Sequence, residues 1–151
     1  MEEKKYIEGL KKRLLAVTPI KITYTDIFFQ AFSEQASVYF FSEGDNIIYI
    51  GETINIHKRM ANLKTSKKHI FLRHLGYAKL KELLKCKRVT SKRGLPDEIE
   101  KKVKTYIMDN IFISHLPVSL GRKELEEYMI NKFSDTGKLL NKSKYTVVSH
   151  K

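Results

Sequence analysis

Cysteine is nearly missing from this chain of 151 residues: Cys86 stands alone, which excludes a disulfide framework, a cysteine-based zinc cluster and almost all cysteine redox chemistry. Five scattered histidines do not make up for it. Tryptophan is absent and there are three prolines and seven glycines, too few for a collagen-like, linker-like or low-complexity chain. No apolar run approaches the roughly 18 residues of a membrane span. The start, Met1-Glu2-Glu3-Lys4-Lys5, has no apolar block of the secretory kind. A cytoplasmic protein without a membrane partner is therefore expected. What is present, 42% hydrophobic and 30% charged residues at the usual size of one domain, predicts a compact fold with its own core.

Acidic residues are scarce in one place above all. Between Lys58 and Arg93 thirteen basic residues meet a single acid, Glu82, while the rest of the chain balances its charges, so this segment accounts for the whole excess of +12. A positive field of that density attracts phosphate backbones through counterion release. Lys58, Lys64, Lys67, Lys68, Arg73, Lys79, Lys81 and Lys85 are the expected contacts to nucleic acid.

The pattern of apolar residues sets the expected elements. Tyr6, Ile7, Leu10 and Leu14 predict a helix ending before Thr18-Pro19, and Thr25 or Asp26 can cap a second one bearing Ile27, Phe28, Phe29 and Phe32. From Ser37 the period drops to two, and residues 37–51 read as a hairpin with a five-residue loop at Ser42 to Asn46. Setting Phe41 against Ile47 places Tyr39 directly opposite Tyr49. Thr53 or Asn55 can cap a helix running to about Leu63, its stripe formed by Ile56, Met60 and Leu63 with Arg59 beside it. Helices from Ser66 to Leu75 and from Tyr77 to Cys86, separated at Gly76, carry the basic patch. A helix from Pro96 to Asn110, a strand from Ile111 to Leu116 and a helix from Lys123 to Phe133 follow.

The sum is an α+β fold with a small antiparallel sheet of about three strands flanked by helices. Residues 1–34 read as an N-terminal helical extension. The main domain covers 35–142 with a basic helical insertion at about 64–95, and 143–151 form a tail. Within the last helix only Glu126, among Glu124, Glu126 and Glu127, has apolar residues at all three of the following stripe positions, Met129, Ile130 and Phe133. A carboxylate placed there is costly unless it meets a cation or donors, and oxygen ligands of this kind suit Mg²⁺.

Val38-Tyr39, then Tyr49-Ile50-Gly51, Thr53, Asn55 and Arg59, then Glu126 on a helix and Leu140-Asn141 downstream, form an ordered series that resembles the signature of the GIY-YIG nucleases over about residues 35–142. The resemblance implies hydrolysis of phosphodiester bonds in double-stranded DNA, with Mg²⁺ or Mn²⁺ as cofactor and Glu126 as its ligand. It implies that Arg59 grips the scissile phosphate, that Tyr39 or Tyr49 takes or relays the proton of the attacking water, and that Asn141 holds a phosphate oxygen or the end of the Glu126 helix. One small site that must cut two strands is compatible with a homodimer. The first triplet, Ser37-Val38-Tyr39, lacks its glycine, Glu52 stands where a lysine is frequent, and Leu63 stands where many members have a histidine. His57 and His69 are the histidines nearby in the chain. The alternative is a nucleic-acid-binding protein that keeps the fold without hydrolysis. A structural basic protein of ribosomal type would explain the charge but gives no reason for Glu126.

Overall fold

The computed structural model describes residues 2–80 and 92–141. The expected second half of the basic helix, with Lys81, Lys85 and Cys86, and the tail lie outside the described residues. In chain order the elements are α1 (Glu2–Leu15), β1 (Ile20–Lys21), α2 (Asp26–Gln30), β2 (Ser37–Glu43), β3 (Asn46–Thr53), α3 (Ile56–Ala61), α4 (Ile70–Lys79), α5 (Asp97–Asn110), β4 (Ile111–Pro117) and α6 (Arg122–Phe133). The strands form one antiparallel sheet in the order β1-β4-β2-β3, flanked by helices, so the fold is α+β.

The sheet is buried on both faces, which explains why Val38 to Phe41 is an unbroken apolar run. Val38 and Phe40 turn toward α1 and α6, where Ile7, Leu10, Leu14, Leu125 and Met129 complete one core. Tyr39, Phe41 and Tyr49 turn the other way, onto Phe28, Phe29, Met60, Phe71 and Val103 of α2 to α5. Residues 2–34 are thus built into both cores rather than appended. They also supply a fourth strand, β1, where about three were expected. Two residues, Ile20 and Lys21, are too few for alternation to reveal a strand, and pairing with Ile113 and Phe112 of β4 creates it.

The hairpin differs from the expected register. Glu43 pairs with Asn46 across a two-residue turn in which Gly44 takes φ +59°, so the loop is shorter than five residues. Ile48 then bulges between the pairs Ser42–Ile47 and Phe41–Tyr49. As a result Tyr39 opposes Gly51 and not Tyr49. A displacement of two residues preserves the face, so the two tyrosine rings still lie side by side, centroids 6.4 Å apart. Gly76 does not separate a pair of helices either. It lies within α4, where a β-carbon would stand 2.9 Å from Leu95 Cδ2, so its smallness admits Leu95 against the helix. Among the described residues no helix is long and apolar enough to cross a membrane.

The outer edge of β3 is closed by the chain after α6. Leu140 N–H donates to Ile48 O at 2.7 Å, and the Asn141 amide takes the place of a neighbouring strand. Its Oδ1 accepts from Ile50 N–H at 2.7 Å and its Nδ2 donates to Ile50 O at 2.8 Å. Asn141 is wholly buried, so truncation leaves two main-chain groups without partners. We expect Asn141→Ala to lower the free energy of unfolding by about 2 to 4 kcal/mol, measured by urea titration.

Candidate active site

Each member of the central cluster is aimed by main-chain chemistry. Tyr39 and Tyr49 arrive on adjacent strands. Asn55 caps α3, its Oδ1 accepting Lys58 N–H at 3.0 Å, and Ile56 N–H donates to Gln35 O at 2.9 Å, so the helix starts in a fixed place beside β2. Arg59, one turn along, leans over the sheet. Its Nε–H donates to the Tyr39 oxygen at 3.1 Å, and Tyr49 is a second hydrogen-bond partner of the guanidinium. The Tyr39 ring occupies the space above Gly51, where a β-carbon would meet Cζ and the hydroxyl oxygen at 2.5 Å. Glycine is therefore required opposite this tyrosine.

Burial dominates the electrostatics. Tyr39 is fully enclosed and its pKa is raised, first by desolvation; the Arg59 charge and hydrogen bond pull it down, while the carboxylates of Glu126 and Glu52 push it up. Burial alone would lower the Arg59 pKa, but the oxygens of Tyr39 and Tyr49 outweigh it and hold the guanidinium charged.

Of the two histidines that the sequence left open as stand-ins for the missing one, the structure brings His69 to the cluster. It is wholly buried among Tyr39, Phe41, Tyr49 and Phe71, and its Nε2 stands 3.5 Å from the Tyr39 oxygen, a contact spanning 30 residues. Its pKa is well below the usual histidine range, first through burial and then through the charges of Arg59 and Arg73, so the ring is neutral. His57 is engaged elsewhere, with Nδ1 3.0 Å from Phe32 O.

Glu126 is half-buried on α6, close enough for its charge to be felt at Tyr39, whereas Glu124 and Glu127 are exposed. Four residues earlier on the same helix, Arg122 Nε donates to Glu52 Oε1 at 3.2 Å. Asn141 is drawn into the β3 edge, both ends of its amide engaged by Ile50; it supports the strand that carries Tyr49, and a direct grip on phosphate is not its place in this structure.

The basic residues divide. Lys58, Lys64, Lys67 and Lys68 are exposed on α3 and the turns after it. Arg73 braces that region, Nη1 donating to Ser66 O at 2.5 Å and to Lys67 O at 3.3 Å, while its charge also reaches Tyr49 and Arg59. Lys79, also exposed, stands apart from that group. It pairs with Glu43 at 3.4 Å and lies over the Tyr106 ring, because α4 carries it to the hairpin turn.

Two measurements check this geometry. Gly51→Ala should push the Tyr39 ring off its site and abolish the Arg59 bond, with a stability loss of about 1 to 3 kcal/mol by urea titration. A buried neutral histidine contributes stability that is present above the unfolded pKa near 6.5 and is lost as pH falls toward the lower folded value. His69→Asn should therefore flatten the fall of stability below that pH, by at most about 1.4 kcal/mol per pH unit. Compared with known protein families, curated proteins and solved structures, the chain finds no match, so the meaning of this cluster rests on its own residues.

Proposed function

We propose that the cluster is the active centre of a divalent-metal-dependent endonuclease of GIY-YIG type that hydrolyses DNA phosphodiester bonds. The observation that carries this reading is the half-buried Arg59, held by Tyr39 and Tyr49 with Glu126 nearby. A guanidinium fixed in place by two phenols keeps donors in its planar fork for a phosphate, and one whose orientation is set in advance can stabilise growing charge without reorganising.

The residues fit a hard cation. Glu126 offers a half-buried carboxylate whose charge reaches the Tyr39 phenol. Among the described residues no three His, Cys, Asp or Glu gather into a closed cluster, so Glu126 would share the ion with water and the substrate phosphate, an arrangement Mg²⁺ or Mn²⁺ tolerates. When bound, the ion supplies Lewis-acid stabilisation of the phosphate and the leaving oxygen. Arg59 binds and orients the scissile phosphate. The phenols lie beside the path of the attacking water's proton, and the charge and hydrogen bond of Arg59 at the Tyr39 oxygen oppose the burial that keeps it protonated. Exposed Lys58, Lys64, Lys67 and Lys68 extend the positive surface along which a DNA backbone would run.

The complete burial of Tyr39 favours a second reading, a DNA-binding protein in which the phenol only anchors Arg59. Incubation with supercoiled plasmid and Mg²⁺, with an EDTA control, separates the two. Nicked or linear product that requires the metal supports the nuclease, and DNA retention without cleavage supports the binding protein. Within the nuclease reading, Glu126→Gln should abolish cleavage and leave binding intact. Arg59→Lys, which keeps the charge but loses the fork, should slow single-turnover cleavage about 100- to 1000-fold with affinity nearly unchanged.

A further inference from the structure

The residue that begins α4 is a costly choice. His69 caps the helix, Nδ1 accepting Phe71 N–H at 3.2 Å. Asparagine, serine or aspartate would cap at least as well, without enclosing an imidazole that must stay neutral. Besides its packing against Tyr39, Phe41, Tyr49 and Phe71, the imidazole adds a second nitrogen on the far side of the ring, and that nitrogen stands 3.5 Å from the Tyr39 oxygen. The cap also decides the proton. With Nδ1 accepting from an amide, the neutral ring carries its hydrogen on Nε2, so Nε2 donates.

We propose that His69 is a positioning residue of the nuclease centre, an inference that rests on the reading above: its Nε2–H, held in one tautomer by the Phe71 amide, fixes the Tyr39 oxygen together with Arg59 Nε–H. Both described partners of that oxygen are then donors. A phenol that must keep its own hydrogen makes poor use of two donors, and a phenol oxygen that gains negative charge makes good use of them. The long His69 contact is of the kind that tightens as charge develops. The groups facing the pair are the charged Arg59 of α3, Arg73 and His74 of α4, Tyr49 of β3, and the carboxylates of Glu52 and Glu126.

Two amides separate the roles of the two nitrogens. In His69→Asn the side-chain oxygen sits where Nδ1 sat and keeps the cap, but the amide is too short to reach Tyr39. In His69→Gln the amide nitrogen reaches the place of Nε2 and restores the donor at the expense of the cap. Single-turnover plasmid cleavage with Mg²⁺, affinity for the same DNA and the thermal midpoint are measured for each, together with nitrogen NMR of the wild-type imidazole near neutral pH. We expect the NMR to show a neutral ring protonated at Nε2, with its resonance moving in Tyr39→Phe. We expect His69→Asn to keep affinity, with a midpoint lowered by the lost ring packing, while losing rate by about 10- to 100-fold, the range that outer partners of a reacting group carry. His69→Gln should recover rate despite a lower midpoint. Wild-type rate in His69→Asn, no recovery in His69→Gln, or a ring protonated at Nδ1 would overturn the proposal. A wild-type protein that cuts no DNA would overturn the nuclease reading instead, and the response of the imidazole to Tyr39→Phe would still decide whether the bond exists.

Discussion

The hydrogen bond from Arg59 Nε to the Tyr39 oxygen is the contact on which the remaining arrangement depends. It joins a half-buried charge to a wholly buried phenol, and each is costly to enclose alone. Everything around it serves the alignment of the two. The Asn55 cap sets where α3 begins, and Gly51 leaves room for the ring. The bulge at Ile48 then fixes which residues of β3 stand beside it.

The setting is aromatic and dry. Phe41 stacks on Tyr49 and Phe71 with centroids 5.9 and 4.3 Å away, and His69 closes the group. With water excluded, each donor directed at the phenol oxygens counts for more than it would at the surface. Rigidity comes from the same construction. The sheet is packed on both faces, and Leu140 and Asn141 tie down the strand edge on either side of Tyr49. Asn141 thus acts on the cluster through the backbone of the strand that carries Tyr49.

Local pairing decides which charges remain available. Glu43 takes up Lys79 and Arg122 takes up Glu52, while Arg73 commits donors to the turn that carries Lys67 and Lys68. Among the described residues, exposed positive charge close in the chain to Arg59 is presented by Lys58, Lys64, Lys67 and Lys68 on α3 and the turns after it. Density of charge along a sequence does not reveal this, because the acids that neutralise a lysine come from other elements.

Amphipathic spacing and caps determined by themselves that the chain holds α1, the paired strands, α3, α5, β4 and α6, since each of these signals is local. Tyr39, Tyr49 and Arg59 were legible through their resemblance to a family signature, a series that fits within about 20 residues, and strand alternation told only that the two tyrosines share a face. Glu126 was legible as the one acid along its helix stripe. Tertiary structure alone decided the register, because a bulge and a two-residue turn are settled by packing on both faces of the sheet. It alone recruited β1, which is a strand only because β4 lies alongside it. It likewise made Asn141 an edge clamp, paired Lys79 with Glu43 of the hairpin and brought His69 to Tyr39. These contacts join residues far apart in the chain, and no periodicity records which distant side chain will fill the space beside a buried phenol.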